Sequence, residues 1–187
     1  MSERIVKEIL LASSDLKARI AGDTKLVSKL HDASQKIKAA LACGGTLYSS
    51  GNGGSACDSM HLTEELVARY KRERPGMRAL HFMDPGTVTC WSNDYEYEGA
   101  FERQVKTFCT PKDVYLGIST SGRSKNILRA FAAARALGTY TIGFTGKDGG
   151  AFPEACDLSI VVPAKETERI QEAHITFIHI ICELLET

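Results

Sequence analysis

Leu116-Gly117-Ile118-Ser119-Thr120-Ser121-Gly122-Arg123-Ser124-Lys125 runs from an apolar strand through a hydroxyl-rich loop into a helix. Asp113 to Ile118 is a short apolar run, and Asn126-Ile127-Leu128-Arg129-Ala130-Phe131 begins apolar spacing of helical period. The loop therefore stands where the carboxyl end of a strand meets a helix N-terminus. Such a position leaves about four backbone N–H groups without partners and carries roughly half a positive charge. A phosphate suits both features. Ser119, Thr120, Ser121 and Ser124 add hydroxyl donors, and Gly122 allows close approach of the backbone. The plainer alternative is an ordinary turn in which Ser121 or Ser124 caps the helix.

Strand, glycine turn and helix recur on both sides of this loop. Downstream, a helix ends at Leu137-Gly138, a strand covers residues 140–145, Gly146-Lys147-Asp148-Gly149-Gly150 follows, and a last strand covers 157–162. The chain then closes on a helix over about residues 168–185. Upstream, apolar periodicity predicts two helices within about residues 1–44, then a strand over 46–50. Gly51-Asn52-Gly53-Gly54-Ser55 opens a helix over about residues 56–70, and residues 78–82 form a further strand. Met83-Asp84-Pro85-Gly86 reads as a sharp reversal, and Ser92-Asn93-Asp94-Tyr95 as a polar break before a helix over about residues 100–108. This alternation predicts an α/β domain with a parallel sheet covered on both faces, and one domain over residues 1–187.

Lys plus Arg and Asp plus Glu number 23 each, so the formal net charge is zero and no nucleic-acid or membrane footprint is visible. No apolar signal segment follows Met1, which predicts a cytoplasmic protein. The six cysteines lack a CxxC pair and read as reduced, mostly core thiols. Two sets of residues remain as candidates for chemistry. His61 and Glu65 lie four apart on one helix face, where they form either an ion pair or a joint ligand site. The final helix carries Gln171, His174 and His179 among apolar residues, and spacing does not choose between the histidines. That helix is apolar nearly all round, which predicts burial by the core or by a second subunit.

Taken together, Gly51-Asn52-Gly53-Gly54-Ser55, His61-Leu62-Thr63-Glu64-Glu65, Asn93-Asp94, Ile118 to Ser124, and Arg169 to His174 with His179 resemble the phosphoheptose isomerases, which have the sugar isomerase (SIS) fold. The likeness covers nearly the whole chain. It implies a five-stranded parallel sheet flanked by helices and a homotetramer with active sites between subunits. It also implies an aldose-ketose isomerase that converts sedoheptulose 7-phosphate, a phosphorylated seven-carbon sugar, to D-glycero-D-manno-heptose 7-phosphate through an enediol(ate), for heptose in surface polysaccharide. Carried over by position, Asn52, Gly53, Gly54, Ser55, Glu65, Asn93, Asp94, Ser119, Thr120, Ser121, Ser124 and Gln171 bind substrate. Glu65 and His179 are then the acid/base pair, and His61, Glu65, Gln171 and His179 the ligands of one zinc per subunit. Ser92, Glu96, Trp91, Met83 and Glu168 depart from the commoner pattern, which bears on the identity of the sugar and keeps a related phosphosugar as an alternative. Some proteins of this fold are non-catalytic, binding a replication initiator or sensing phosphosugars. The initiator-binding kind lacks the acid/base groups, whereas this chain has both.

Overall fold

The computed structural model describes residues 2–187. Helices α1 (Ser2–Gly22) and α2 (Thr24–Ala42) come first and meet at Asp23, whose carboxylate accepts from Lys25 N at 3.0 Å and Leu26 N at 3.1 Å as an N-cap. Strand β1 (Leu47–Gly51), α3 (Gly54–Val67), β2 (Ala79–His81), α4 (Pro85–Asp94), a 3-10 turn (Tyr97–Gly99) and α5 (Ala100–Phe108) follow. The second half runs β3 (Val114–Ile118), α6 (Lys125–Ala136), β4 (Tyr140–Gly146), α7 (Phe152–Ala155), β5 (Leu158–Val162) and α8 (Thr167–Leu185). The five strands are parallel in the order β2-β1-β3-β4-β5.

Alternate strand residues feed two cores, one on each face of the sheet. Leu47, Val114, Leu116, Ile118, Ile142, Phe144, Ile160 and Val162 pack with the apolar faces of α1, α2, α3 and α8. On the other face Tyr48 and Tyr115 pack with Phe101, Val105, Ile127, Phe131 and Phe152. Gly117 and Gly143 are register partners in β3 and β4. A Cβ on Gly117 would lie 2.6 Å from Ile127 Cγ2 and from Phe131 Cζ, and one on Gly143 would lie 2.7 Å from Phe152 Cδ2. The missing side chains are thus the space in which α6 and α7 seat their aromatic rings.

Two expectations change, and one alternative is decided. The reversal at Asp84-Pro85 is instead the start of α4: Asp84 Oδ1 accepts from Thr87 N at 2.7 Å, and Pro85 takes the first helical position, where its missing N–H costs nothing. Ser92, Asn93 and Asp94 are accordingly the last turn of a helix. Cys43, Cys57 and Cys90 are exposed, and only Cys109, Cys156 and Cys182 are core thiols. Helix α8 buries Ile170, Ala173, His174, Phe177, Ile178, Ile181, Cys182 and Leu185 within its own chain, so most of its apolar surface needs no second subunit. The larger uncovered apolar surface lies on α1, at Ile5, Val6, Ile9, Leu10 and Leu11. Among the described residues no helix is long and apolar enough to cross a membrane.

His174 is a core residue. It is fully buried between the rings of Phe144 and Phe177, with Nε2 3.2 Å from Thr145 O and Nδ1 without a partner. Nε2 therefore carries the proton, and a second proton on Nδ1 would find no acceptor. Burial pushes its pKa down to about 4, against a smaller opposing effect of the Thr145 carbonyl. The unfolded chain takes up this proton first, so the stability His174 contributes is complete above about pH 6.5 and is lost as pH falls toward 4. Urea unfolding over that range should show a loss of up to about 3 kcal/mol from this group, and His174→Gln should flatten that part of the profile.

Candidate active site

The strand order reverses direction between β1 and β3, so the loops leaving these neighbouring strands diverge to opposite faces and open a crevice at their carboxyl ends. Gly51 and Ile118, the last residues of the two strands, are register partners. The pairing thus brings the glycine turn 51–55 beside the hydroxyl loop 119–124.

The hydroxyl loop is closed on itself by its serines. Ser119 Oγ lies 2.9 Å from Ser124 Oγ and 3.4 Å from Ser121 Oγ. Ser124 occupies the N-cap position of α6 but makes no side-chain bond to the helix, so the capping alternative does not describe it. Gly122 has φ +62 and its N–H donates to Ser119 O at 3.1 Å, a left-handed turn that a side chain disfavours. Arg123 turns away to a two-bonded pair with Asp148, at 3.0 and 2.6 Å. The charge on the loop is therefore already matched, leaving helix N–H groups and hydroxyls as the free anion donors.

A second group forms where α3 packs on α8. His61 Nε2 is 3.2 Å from Glu65 Oε1 and 3.2 Å from His179 Nε2. The three donor atoms lie within 4.8 Å of one another, and all three residues are half-buried. Tyr70 stacks on the His179 ring at 5.9 Å between centroids. A groove of about 500 Å3 runs from Gly54 past Asp58 and His61 to Gln171, joining this cluster to the glycine turn. Gly54 has no room for a Cβ because the Gln171 amide occupies that space.

His61, Glu65 and His179 thus come together, and Gln171 lines the same groove. Ser119, Thr120, Ser121 and Ser124 share the loop over α6, opposite Asn52, Gly53, Gly54 and Ser55. Asn93 and Asp94 sit apart from these contacts: both are exposed, and Asn93 Nδ2 donates to Asp94 Oδ1 at 2.9 Å. The residues after them do reach the crevice, since Tyr97 OH donates to Asn52 Oδ1 at 2.6 Å. Asn126 is a buried member that the sequence reading missed. It exchanges two bonds with Asn52, Nδ2 to Oδ1 at 2.8 Å and Oδ1 from Nδ2 at 3.0 Å. Its one signal in the sequence is a polar amide at the start of an otherwise apolar helix stripe.

The chain is similar to known proteins over its whole length. A family model described as the SIS domain matches residues 14–146. The phosphoheptose isomerase of Tolumonas auensis is 41% identical over 187 residues, covering 100% of this chain and 97% of the relative. That of Geotalea daltonii is 44% identical over 181 residues, covering 92% and 94%. The structure of phosphoheptose isomerase from Neisseria gonorrhoeae superposes with a TM-score of 0.93 at 30% identity, covering 100% of this chain and 99% of that one.

If the hydroxyl loop holds a phosphate, Ser119→Ala and Ser124→Ala should each weaken binding of a phosphate monoester by roughly 1.5 to 3 kcal/mol, the range for a hydrogen bond to a charged group. Calorimetry on the folded variants reads this directly. Unchanged affinity in both would remove the loop from the binding site.

Proposed function

This chain belongs to the phosphoheptose isomerases of the SIS fold, and we propose that it interconverts sedoheptulose 7-phosphate and D-glycero-D-manno-heptose 7-phosphate at the crevice between β1 and β3. The observation that carries the chemistry is the meeting of His61, Glu65 and His179, a carboxylate and two imidazoles beside a groove that His61 shares with Gly54 of the glycine turn. Ser119, Thr120, Ser121 and Ser124 hold the phosphate with the N–H groups of α6. Asn52, Gly53, Gly54, Ser55, Gln171 and the Asn93-Asp94 segment bind the sugar. Glu65 removes the proton from C1 of the ketose and returns it to C2. The electron pair of that C–H bond becomes the C1–C2 double bond of the enediolate. His179 passes a proton between the two oxygens, so no external donor or acceptor is consumed.

The same three residues have the donor set of a zinc site. Four ligands about 2.0 to 2.2 Å from a tetrahedral zinc stand roughly 3.3 to 3.6 Å apart. The two 3.2 Å separations at His61 match that spacing closely, and the facing imidazole nitrogens present two lone pairs when both are neutral. His61, Glu65 and His179 would hold the ion with Gln171 as fourth ligand; it would polarise the sugar carbonyl as a Lewis acid and so take the place of the proton on His179, while the second carboxylate oxygen of Glu65 would stay available as the base. We further propose a homotetramer. The exposed apolar residues of α1, and a groove of about 500 Å3 that includes Ile20, Val27, Leu30, Phe177 and Ile180, support burial against other copies. The charge-neutral composition and the absence of a spanning helix among the described residues support a cytoplasmic enzyme.

Incubation with sedoheptulose 7-phosphate and separation of aldose from ketose tests the activity. Glu65→Gln keeps size and hydrogen bonding but removes the base, so turnover should fall at least about a hundred-fold, roughly 2.7 kcal/mol in the barrier. Solvent deuterium uptake at the transferred carbon should fall with it, while substrate affinity changes much less. His179→Gln should also lose turnover, and near-normal exchange in Glu65→Gln would overturn the assignment of the base.

For metal and assembly, zinc analysis after gentle purification should find one ion per chain, with activity lost on chelation. Light scattering should give four times the 20.4 kDa chain mass. A fully active, metal-free monomer would contradict both.

A further inference from the structure

Asn52, in the glycine turn, has nearly all its side-chain hydrogen-bonding capacity committed. Its Oδ1 accepts from Asn126 Nδ2 at 2.8 Å and from Tyr97 OH at 2.6 Å, and its Nδ2 donates to Asn126 Oδ1 at 3.0 Å. The pair cannot simply turn over. Ile127 N, in the first turn of α6, is shared between Ser124 O at 3.1 Å and Asn126 Oδ1 at 3.0 Å, and turning the Asn126 amide over would set its NH2 against that N–H, which fixes the Asn126 amide and through it the Asn52 amide. Asn52 Oδ1 must therefore face Tyr97, whose hydroxyl has to act as donor. What remains is one N–H on Asn52 Nδ2 and the acceptor lone pairs on the Tyr97 oxygen, on opposite edges of the Asn52 amide. Tyr97 is 44% exposed.

The geometry points to Tyr97 as a positioning and specificity residue for the sugar portion of the substrate, an inference that rests on the isomerase reading above. Tyr97 holds Asn52 with its remaining N–H toward the crevice and offers an acceptor to a neighbouring sugar hydroxyl. A donor on one edge of the amide and an acceptor on the other suit two hydroxyls of a polyol chain, one accepting and one donating. The phosphate is served by the other loop and does not sense Tyr97. The connection is also short in sequence: Tyr97 follows Asn93-Asp94 by three residues, so that segment is tied to the crevice through this hydroxyl. The far side of the same 3-10 turn is anchored to α6, where Arg129 bonds both Glu96 and Glu102, so the tyrosine is held at its base as well as at its tip.

The test is Tyr97→Phe in the full chain, which removes one oxygen from a half-exposed ring and leaves both cores intact. The expected result is a KM for sedoheptulose 7-phosphate raised about five-fold or more, as for loss of an ordinary hydrogen bond, with kcat within about two-fold. Inhibition by inorganic phosphate and the thermal midpoint should both match the unaltered protein. An unchanged KM would overturn the inference. So would an equal loss of phosphate affinity or a lowered thermal midpoint with unchanged KM, since those describe a merely structural hydroxyl. If the unaltered chain binds the sugar phosphate without turning it over, the isomerase reading fails while the same five-fold comparison, read by calorimetry, still decides the role of Tyr97.

Discussion

The parallel pairing of β1 with β3 is the constraint on which the functional architecture rests. These strands are neighbours in space but separated in sequence by α3, β2, α4 and α5, because the chain leaves β1 for the sheet edge and returns to the middle. Their ladder ends in register at Gly51 and Ile118. Two loops with different chemistry are thereby fixed side by side by backbone hydrogen bonds, without depending on any single side chain. Where the loops separate, the polar groups complete the join. Ser50 Oγ and Tyr115 OH meet at 2.5 Å beneath the crevice, and the Asn52–Asn126 amide pair spans its floor. Each is buried or half-buried, so leaving one partner unmatched would cost more than the bond contributes when made.

The second part of the site depends on helix packing, and its positioning device lies behind it. Arg74 and Glu186 form a pair whose side chains are only 12% and 3% exposed. Arg74 also donates to the carbonyls of Glu65 at 2.9 Å and Leu66 at 2.8 Å, the open C-terminal end of α3. Glu186, just past the end of α8, accepts from the N–H groups of Lys71 and Arg72 at 3.1 and 3.0 Å. The pair closes one helix end on the other. With the Leu62 and Leu66 side chains and the Ile178 and Ile181 side chains in the same core, it leaves α3 and α8 little freedom to slide. The His61–His179 approach is therefore a consequence of helix register.

The order of strands and helices was legible in the sequence because parallel strands buried on both faces read as apolar runs and the covering helices keep a 3.6-residue period. The hydroxyl loop and the His61-Glu65 face were legible for the same local reason: each lies within one helical turn or one loop. His179 was different. Its meeting with His61 joins residues more than a hundred positions apart, and periodicity along α8 treats His174 and His179 alike. Only the direction of the sheet separates them, one against Phe144 and the other toward α3. Helix α4 was hidden because Asp84-Pro85-Gly86 suits a turn as well as a capped helix start. Asn126 offered only a polar amide at the head of an apolar stripe and Tyr97 no signal, because their hydrogen bonds to Asn52 are tertiary contacts.

The charge around the crevice has a further consequence for how it handles a dianion. The nearest cation on the hydroxyl loop, Arg123, is paired with Asp148, which is held below the usual carboxylate range, down to about 2, by that guanidinium and by Gly150 N. Lys125, at the start of α6, approaches Glu98 at 4.0 Å. A phosphate held at this loop, as proposed, would be met by hydroxyls, backbone N–H groups and the helix dipole. Dipolar donors of this kind are directional and preorganised, but each contributes less than a desolvated ion pair. An isomerase must release a product bearing the same phosphate as its substrate, so a very deep well at that end would hold both equally and slow the release step. With the phosphate at the hydroxyl loop, as proposed, the ionisable groups would stand where the two sugars differ, and binding energy would act on the part of the molecule that changes.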